Sequence, residues 1–196
     1  MRLLLITGFL GSGKTTLIIK LAQAATERAK RVAIVVNEIG EIGIDDRLMR
    51  QLDLNVWELV NGCICCTLSG DLVTTLQKLD ANYAPDLVMV EPSGAADPKN
   101  ILSALPYYRG RPLEGLYTAT IVDPLRVEML VEVLTPLITS QIRHADLILI
   151  SKRDLASPAE IAAARQAAQE HNPAAKVMTI DAQHSLEPEV IAELVP

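Results

Sequence analysis

A glycine-rich octapeptide near the start of the chain constrains the fold more than any other feature of the sequence. Residues 8–15, GFLGSGKT, match the pattern GxxxxGK[ST] and directly follow an apolar run, Arg2–Thr7. This pattern binds phosphate when it lies between a strand and a helix. The helix is indicated by apolar residues at helical spacing, namely Leu17, Ile18, Leu21, Ala24 and Ala25. We therefore predict a strand, a phosphate-binding loop and a helix whose N-terminal N–H groups face the phosphate.

The side chains of this loop have separate predicted roles. Its glycines let backbone N–H groups curl around a β-phosphate. Lys14 is expected to bridge β- and γ-phosphate oxygens, and Thr15 to offer its hydroxyl to Mg²⁺. The predicted nucleotide-binding positions of the loop are Gly8, Gly11, Ser12, Gly13, Lys14, Thr15 and Thr16.

Apolar, β-branched runs recur along the rest of the chain, with helix-like stretches between them. Their near-continuous hydrophobicity is typical of parallel strands that helices cover on both faces. One helix is marked at both ends, by the capping box Ser157-Pro158-Ala159-Glu160 and by the terminating sequence His171-Asn172-Pro173. We predict a three-layer α/β fold of the P-loop NTPase type, with a mostly parallel sheet of about seven strands. The predicted strands are Arg2–Thr7, Val32–Asn37, Asn55–Val60, Asp86–Val90, Tyr117–Val122, Leu147–Ile150 and Lys176–Ile180.

The composition excludes two classes of partner. A net charge of -6 argues against binding to a nucleic-acid backbone or an anionic membrane, because both need a basic surface. Aromatic residues make up only 3% of the chain, which leaves few platforms for stacked bases. No apolar segment reaches the roughly 18 residues that a membrane span needs. We expect a single cytoplasmic domain, residues 1–196, that binds neither nucleic acid nor membrane.

A second strand end carries the outline of a γ-phosphate sensor. The buried-strand pattern Asp86–Val90 is followed by Glu91, and Gly94 comes three residues later. The carboxylate can hold Mg²⁺ through a water or orient the attacking water, while the Gly94 N–H can contact a γ-phosphate. The alternative interpretation is an acid that only caps a strand.

A base-reading loop is predicted where Ser151-Lys152-Arg153-Asp154 follows the apolar run that ends at Ile150. The Asp154 carboxylate can accept hydrogen bonds from N1–H and from the exocyclic amine of guanine, whereas adenine presents an acceptor at N1. Lys152 can lay its aliphatic stem along the base. The tetrapeptide therefore indicates a preference for guanine.

All three cysteines of the chain lie within four positions, at Cys63, Cys65 and Cys66. They cannot form a disulfide framework, which needs partners spread along the sequence. Soft thiolates on one short loop favour Zn²⁺, Cu⁺ or a similar ion. Two other interpretations stay open from the residues alone, a CxxC redox pair of Cys63 and Cys66, and small buried apolar side chains.

Taken together, these motifs resemble the CobW-type branch of the metallochaperone P-loop GTPases, relatives of the urease and hydrogenase nickel-insertion GTPases. The resemblance implies hydrolysis of GTP to GDP with Mg²⁺, coupled to custody or delivery of a transition metal, Zn²⁺ first, with Co²⁺ or Ni²⁺ as alternatives. It also implies a client metalloenzyme or corrinoid protein and a nucleotide- or metal-dependent homodimer. The resemblance covers essentially the whole chain, in segments 8–16, 37–45, 61–66, 91–94, 141–146 and 151–154.

The resemblance assigns roles to particular residues. Lys14, Glu91 and Glu38 form the expected catalytic set, with Glu38 close to Mg²⁺ or to the transferred metal. Gly94, Lys152 and Asp154 join the loop residues in binding the nucleotide. The expected ligands of the transition metal are Cys63, Cys65 and Cys66.

Two departures from the family pattern bear on function. Ser151 stands where the guanine motif usually has asparagine, which removes an amide that would reach the base. The sequence stops at Pro196, so we expect the usual C-terminal domain to be absent. The three histidines, His144, His171 and His184, are interpreted as surface or cap residues.

The sequence also bears on the rate of hydrolysis and leaves two other functions open. Slow intrinsic turnover is expected, because no internal arginine can be named to stabilise charge in the transition state. A regulatory G-protein could instead serve a cobalamin-dependent enzyme as an adaptor, with the cysteines structural or redox-active. A small-molecule kinase could share the phosphate loop, but it would need an acceptor-site base and no guanine motif.

Overall fold

The apolar runs of the sequence fold into seven strands in the part of the chain that the structure describes. This part comprises residues 1–36, 55–58 and 68–196 of a computed structural model. Each predicted strand has a counterpart that overlaps it. The strands are β1 (Arg2–Gly8), β2 (Val32–Val36), β3 (Asn55–Glu58), β4 (Leu87–Glu91), β5 (Gly115–Val122), β6 (Leu147–Ile150) and β7 (Lys176–Thr179).

These strands form one sheet in the spatial order β3-β2-β4-β1-β5-β6-β7, and all six neighbouring pairs are parallel. The carboxyl ends of parallel strands meet at one edge of a sheet, where ligands of such folds bind. Since β1 lies between β4 and β5, the loop that follows Gly8 is placed beside the segments that follow Glu91 and Val122. Among the described residues, the topology therefore brings the phosphate loop and Glu91 to one edge of the sheet.

Helices cover both faces of the sheet. In the described residues they are α1 (Lys14–Glu27), α2 (Leu68–Asn82), α3 (Pro98–Ala104), α4 (Val127–Val133), α5 (Thr135–Arg143), α6 (Pro158–His171) and α7 (Pro188–Leu194). A short 3-10 turn, Leu105–Tyr107, follows α3. No described helix combines the length and the apolar character that crossing a membrane requires.

Alternate residues of β1 face different helical layers. Leu4 and Ile6 pack in a core with α1 and α7, whereas Leu3 and Leu5 pack in a core with α2 and α3. All four side chains are at most 2% exposed, so each contributes roughly 1.5–3 kcal/mol through burial. A third cluster joins the ends of β5 and β6 to α4, α5 and α6. The sheet thus lies between helical layers, as the sequence predicts.

The predicted capping box begins α6. The Ser157 hydroxyl accepts a hydrogen bond from the Glu160 N–H at 3.3 Å, and the Ser157 N–H donates to the Glu160 carboxylate at 2.8 Å. Asn172 ends the helix, and its side-chain amide donates to the carbonyl groups of Ile142 and Ala145 at 2.8 and 2.9 Å. The same residue therefore ends α6 and satisfies carbonyl groups at the end of α5.

Candidate functional site

A cleft of about 600 Å³ opens at the carboxyl edge of the sheet. Its volume is in the range of small-molecule sites. Every predicted nucleotide-binding residue except Gly8 lines it, together with Glu91. The lining residues are Leu10, Gly11, Ser12, Gly13, Lys14, Thr15, Thr16, Val36, Glu91, Pro92, Ser93, Gly94, Ser151, Lys152, Asp154, Leu155, Ala182 and Gln183.

The phosphate loop leaves β1 through a glycine that no other residue can replace without strain. Gly8 has φ 140°, and a Cβ atom there would lie 2.5 Å from the Ile121 carbonyl oxygen of the neighbouring strand. The loop ends at Gly13, which is the N-cap of α1 with φ 102°. The cap has no side chain, so the first N–H groups of α1 are left for a ligand in the cleft.

Two polar side chains of the loop fit an anionic ligand. Lys14 is only 7% exposed, and its Nζ donates to the Phe9 carbonyl across the loop at 3.4 Å. The Ser12 hydroxyl is buried and has no hydrogen-bond partner among the described residues. A buried hydroxyl is costly without a partner. Next to an ammonium and a helix N-terminus, it suits a phosphate oxygen.

Two motifs meet where Thr15 contacts Glu91. The Thr15 hydroxyl donates to the carboxylate oxygens Oε1 and Oε2 at 3.0 and 3.2 Å, although the residues are 76 positions apart. Glu91 is the last residue of β4 and is 9% exposed. Hydroxyl and carboxylate oxygens are the ligands that Mg²⁺ prefers. The pair fits this cofactor better than the alternative of an acid that only caps a strand.

Gly94 is fixed by a close approach between two backbones. A Cβ atom at this position would lie 2.7 Å from the Leu10 backbone nitrogen, inside the phosphate loop. The turn that carries Gly94 is closed by a hydrogen bond from the Ala96 N–H to the Ser93 carbonyl at 2.9 Å. Glycine is therefore required here by the space between the turn and the loop.

The other end of the cleft holds the predicted base-reading residues. The Lys152 ammonium forms an ion pair with Asp123 at 2.7 Å, and Asp123 is 4% exposed at the end of β5. Ser151 is buried, and both its N–H and its hydroxyl donate to the Val122 carbonyl, at 2.9 and 3.3 Å. The hydroxyl at this position therefore braces a strand end, while the ion pair fixes the lysine stem along the cleft.

Asp154 is exposed at the rim of the cleft, close to the turn after β7. Ligand atoms of Asp154, Asp181 and His184 lie within 4.8 Å of one another. Asp181 accepts hydrogen bonds from the His184 ring at 2.7 Å and from the N–H groups of Gln183 and His184 at 3.1 Å. Partial burial by itself raises the pKa of Asp181. The hydrogen bonds outweigh this effect and hold the pKa below its ordinary value.

The structure adds residues to the site that the sequence analysis did not identify. Asp123 directly follows β5, and Ala182 and Gln183 lie in the turn after β7, so their positions after strand ends could have marked them. Arg126 offered no such signal. Its guanidinium donates to the Leu10 carbonyl at 3.0 Å and lies 5.4 Å from the centroid of the Phe9 ring, so it contacts the outside of the phosphate loop.

The predicted transition-metal ligands and Glu38 lie outside the described residues, and their roles stay predictions. The described strands β2 and β3 end at Val36 and Glu58, a few positions before these residues. Val36 lines the cleft at the end of β2, two residues before Glu38. The set outside the described residues is Glu38, Cys63, Cys65 and Cys66.

Comparison with known proteins identifies relatives of this chain. The zinc chaperone CobW of Sinorhizobium sp is 33% identical over 189 residues, which cover 82% of this chain and 53% of that protein. The zinc chaperone YjiA of Escherichia coli is 33% identical over 165 residues, covering 80% of this chain and 50% of that protein. The chain thus spans about half the length of these curated relatives.

A solved structure and a family model extend the similarity to nearly the whole chain. The crystal structure of Zn(II)-bound YjiA GTPase from E. coli superposes with a TM-score of 0.69 at 26% identity, over 97% of this chain and 60% of that one. It confirms the predicted P-loop NTPase fold. The model of the CobW/HypB/UreG nucleotide-binding domain matches residues 2–179. The resemblance inferred from the motifs is confirmed, and the chain belongs to the CobW/HypB/UreG family of nucleotide-binding domains.

Proposed function

We propose that this chain binds and hydrolyses GTP in the cleft and couples the state of the nucleotide to the binding of a transition metal at Cys63, Cys65 and Cys66. One observation carries the nucleotide part. Residues that suit phosphate and Mg²⁺ line one end of the cleft, and a carboxylate that suits guanine lies at the other, at Asp154. The names of the relatives, two of them zinc chaperones, support the metal part.

The phosphate end is built to stabilise negative charge. The N–H groups at the start of α1, the Lys14 ammonium and the Ser12 hydroxyl surround the same part of the cleft. Phosphoryl transfer spreads charge over the transferred group, and fixed positive groups are the main source of its acceleration. Lys14 is therefore assigned to the β- and γ-phosphate oxygens.

Thr15 and Glu91 are the residues that would hold Mg²⁺. Thr15 uses its proton to bond Glu91, so the lone pairs of its hydroxyl oxygen are left for a cation. When bound, Mg²⁺ neutralises charge on the β- and γ-phosphate oxygens. Glu91, as a buried carboxylate at the strand end, also serves to orient a water for attack.

A transition metal at the thiolates is compatible with the reach of the chain. Cys63 comes five residues after Glu58, the end of β3, and such a tether spans at most about 18 Å. Only β2 separates β3 from β4, so the ends of β3 and β4 are about 10 Å apart. The tether is therefore long enough for the thiolates to reach Glu91 and the nucleotide. We assign Zn²⁺ to them, with Co²⁺ or Ni²⁺ as alternatives and a client metalloprotein as the recipient.

The base assignment is tested with an Asp154→Asn variant. An asparagine amide can donate to the C2 carbonyl of xanthine, but it replaces the charged acceptor that guanine needs. We expect GTP affinity to fall on the order of 100-fold, because two hydrogen bonds to a charged group are lost. We also expect the variant to bind XTP better than GTP. Both affinities are measured by titration calorimetry with Mg²⁺.

The matched control is Asp71→Asn, which makes the same change on α2, away from the cleft lining. It should leave GTP affinity within about twofold. A wild-type chain that binds ATP as tightly as GTP contradicts the base assignment. So does an Asp154→Asn variant with unchanged GTP affinity.

A further inference from the structure

A buried glutamine on α5 is bonded to the turn that carries Gly94. Gln141 is 2% exposed, and its Nε2 donates to the carbonyl of Gly94 at 3.1 Å and to that of Ala96 at 3.3 Å. An amide nitrogen has two N–H donors, so one turn can engage both. Burying such a group is unfavourable unless it is bonded. An apolar side chain would fill the same space, so packing alone does not explain why a glutamine amide is buried here.

The neighbouring residue of α5 holds the far end of the same turn. The Ser140 hydroxyl donates to the Asp97 carboxylate at 2.6 Å. Asp97 is the N-cap of α3, where it accepts from the Lys99 N–H at 3.0 Å. The segment between β4 and α3 is therefore attached to α5 at both of its ends.

Gln141 is also tied to the start of the phosphate loop. Its backbone carbonyl accepts from the Thr120 hydroxyl at 2.9 Å, and that hydroxyl lies 2.8 Å from the hydroxyl of Thr7. Thr7 and Thr120 are each 1% exposed, and Thr7 precedes the first glycine of the loop. The Gly94 turn also lies so close to the backbone of Leu10 that a Cβ atom at Gly94 would be 2.7 Å from the Leu10 nitrogen. The turn and the loop thus share one buried polar network with Gln141 at its centre.

We propose that Gln141 is a positioning residue for GTP hydrolysis, which holds the Gly94 N–H where it meets the γ-phosphate. The proposal rests on the proposed function, and it names the residue that sets the geometry of that site. GDP has no γ-phosphate, so its binding uses the phosphate loop and the base-reading residues Lys152 and Asp154 but not the Gly94 N–H. Gln141 should therefore affect the triphosphate and its hydrolysis, while GDP binding stays unchanged.

The test is Gln141→Met, which keeps the length of the side chain and removes both donors. We expect affinity for the non-hydrolysable analogue GMPPNP to fall about tenfold and kcat to fall about tenfold, because two buried carbonyl groups lose a donor. The Kd of GDP should change by no more than about twofold. The control is Gln166→Met, since Gln166 is exposed on α6 and donates to Glu170 at 2.7 Å on the helix surface. It should leave the ratio of the two affinities unchanged.

A merely structural role predicts a different result, in which GDP and GMPPNP affinities fall by the same factor. An unchanged ratio of the GDP and GMPPNP affinities, whether both fall or neither does, therefore overturns the inference. If Gln141→Met does not fold, Gln141→Asn carries the same test, since it keeps the amide and withdraws it by one methylene. A wild-type chain that binds no guanine nucleotide overturns the proposed function as well. A wild-type chain that binds both nucleotides, with variants that keep its ratio, overturns this inference alone.

Discussion

Replacing Lys14 with methionine is expected to lower GTP turnover by about 10²- to 10³-fold, the effect of removing one fixed charge from a phosphoryl-transfer site. Lys14 is largely buried under the phosphate loop, and its ammonium donates to the Phe9 carbonyl across that loop. Methionine keeps most of the volume but carries no charge. Turnover is best measured as the single-turnover rate with the chain in excess over GTP, so that weaker binding does not mask the chemical step.

Lys78→Met is the matched control, because Lys78 lies exposed on α2 and does not line the cleft. Its turnover should stay within about twofold of the wild type. Circular dichroism establishes that both variants are folded. A folded Lys14→Met variant whose rate equals that of the control shows that the phosphate site has been assigned to the wrong residues.

Replacing both Cys65 and Cys66 with alanine is expected to remove tightly bound Zn²⁺. The wild-type chain should bind one ion, and loss of two thiolates should weaken Zn²⁺ affinity by on the order of 10³-fold or more, since four ligands together supply roughly 10–16 kcal/mol in structural zinc sites. Metal-free GTP turnover should stay near that of the wild type, because the phosphate site does not use these residues. Anaerobic titration against a chromogenic chelator measures the Zn²⁺ affinity.

His184→Ala controls for metal bound elsewhere on the chain. His184, Asp154 and Asp181 are the one group of three potential ligands that lie within 4.8 Å in the described parts of the chain. If His184→Ala loses the ion and the cysteine variant keeps it, the thiolate site is wrong. A metal-free wild-type chain that co-purifies with a corrinoid enzyme supports the adaptor function in place of the metallochaperone.

The fold could be predicted where its causes are local in the sequence. Continuous apolar runs mark strands that are buried on both faces, and the Ser157 capping box marks the start of α6, because each pattern involves residues a few positions apart. The sequence assigned Thr15 and Glu91 separately to Mg²⁺, because each follows a strand at the carboxyl edge of the sheet, and their direct hydrogen bond was found only from the fold. The sequence did not predict the strand order that places β1 between β4 and β5.

Contacts between residues far apart in the sequence could not be predicted from the sequence. Gln141 is 47 positions from Gly94, and Arg126 is 116 positions from Leu10, so no periodicity or spacing connects them. The ion pair that fixes Lys152 depends on a carboxylate at the end of a different strand. Ser151 was predicted to lack a base contact, but its bond to the Val122 carbonyl could be found only from the fold. These are the residues that set geometry within the site.

Coupling between nucleotide and metal is the central claim, and the Zn²⁺ affinity of the wild-type chain tests it most directly. The affinity is measured anaerobically in two states, with Mg²⁺ and GMPPNP and with Mg²⁺ and GDP. Val36 lines the cleft two positions before Glu38, so we expect a γ-phosphate to act through the segment that carries Glu38 on the surroundings of the thiolates. We predict that the two affinities differ by at least about fivefold, the lower end of typical coupling between sites. Equal Zn²⁺ affinity in the two states would contradict the coupling.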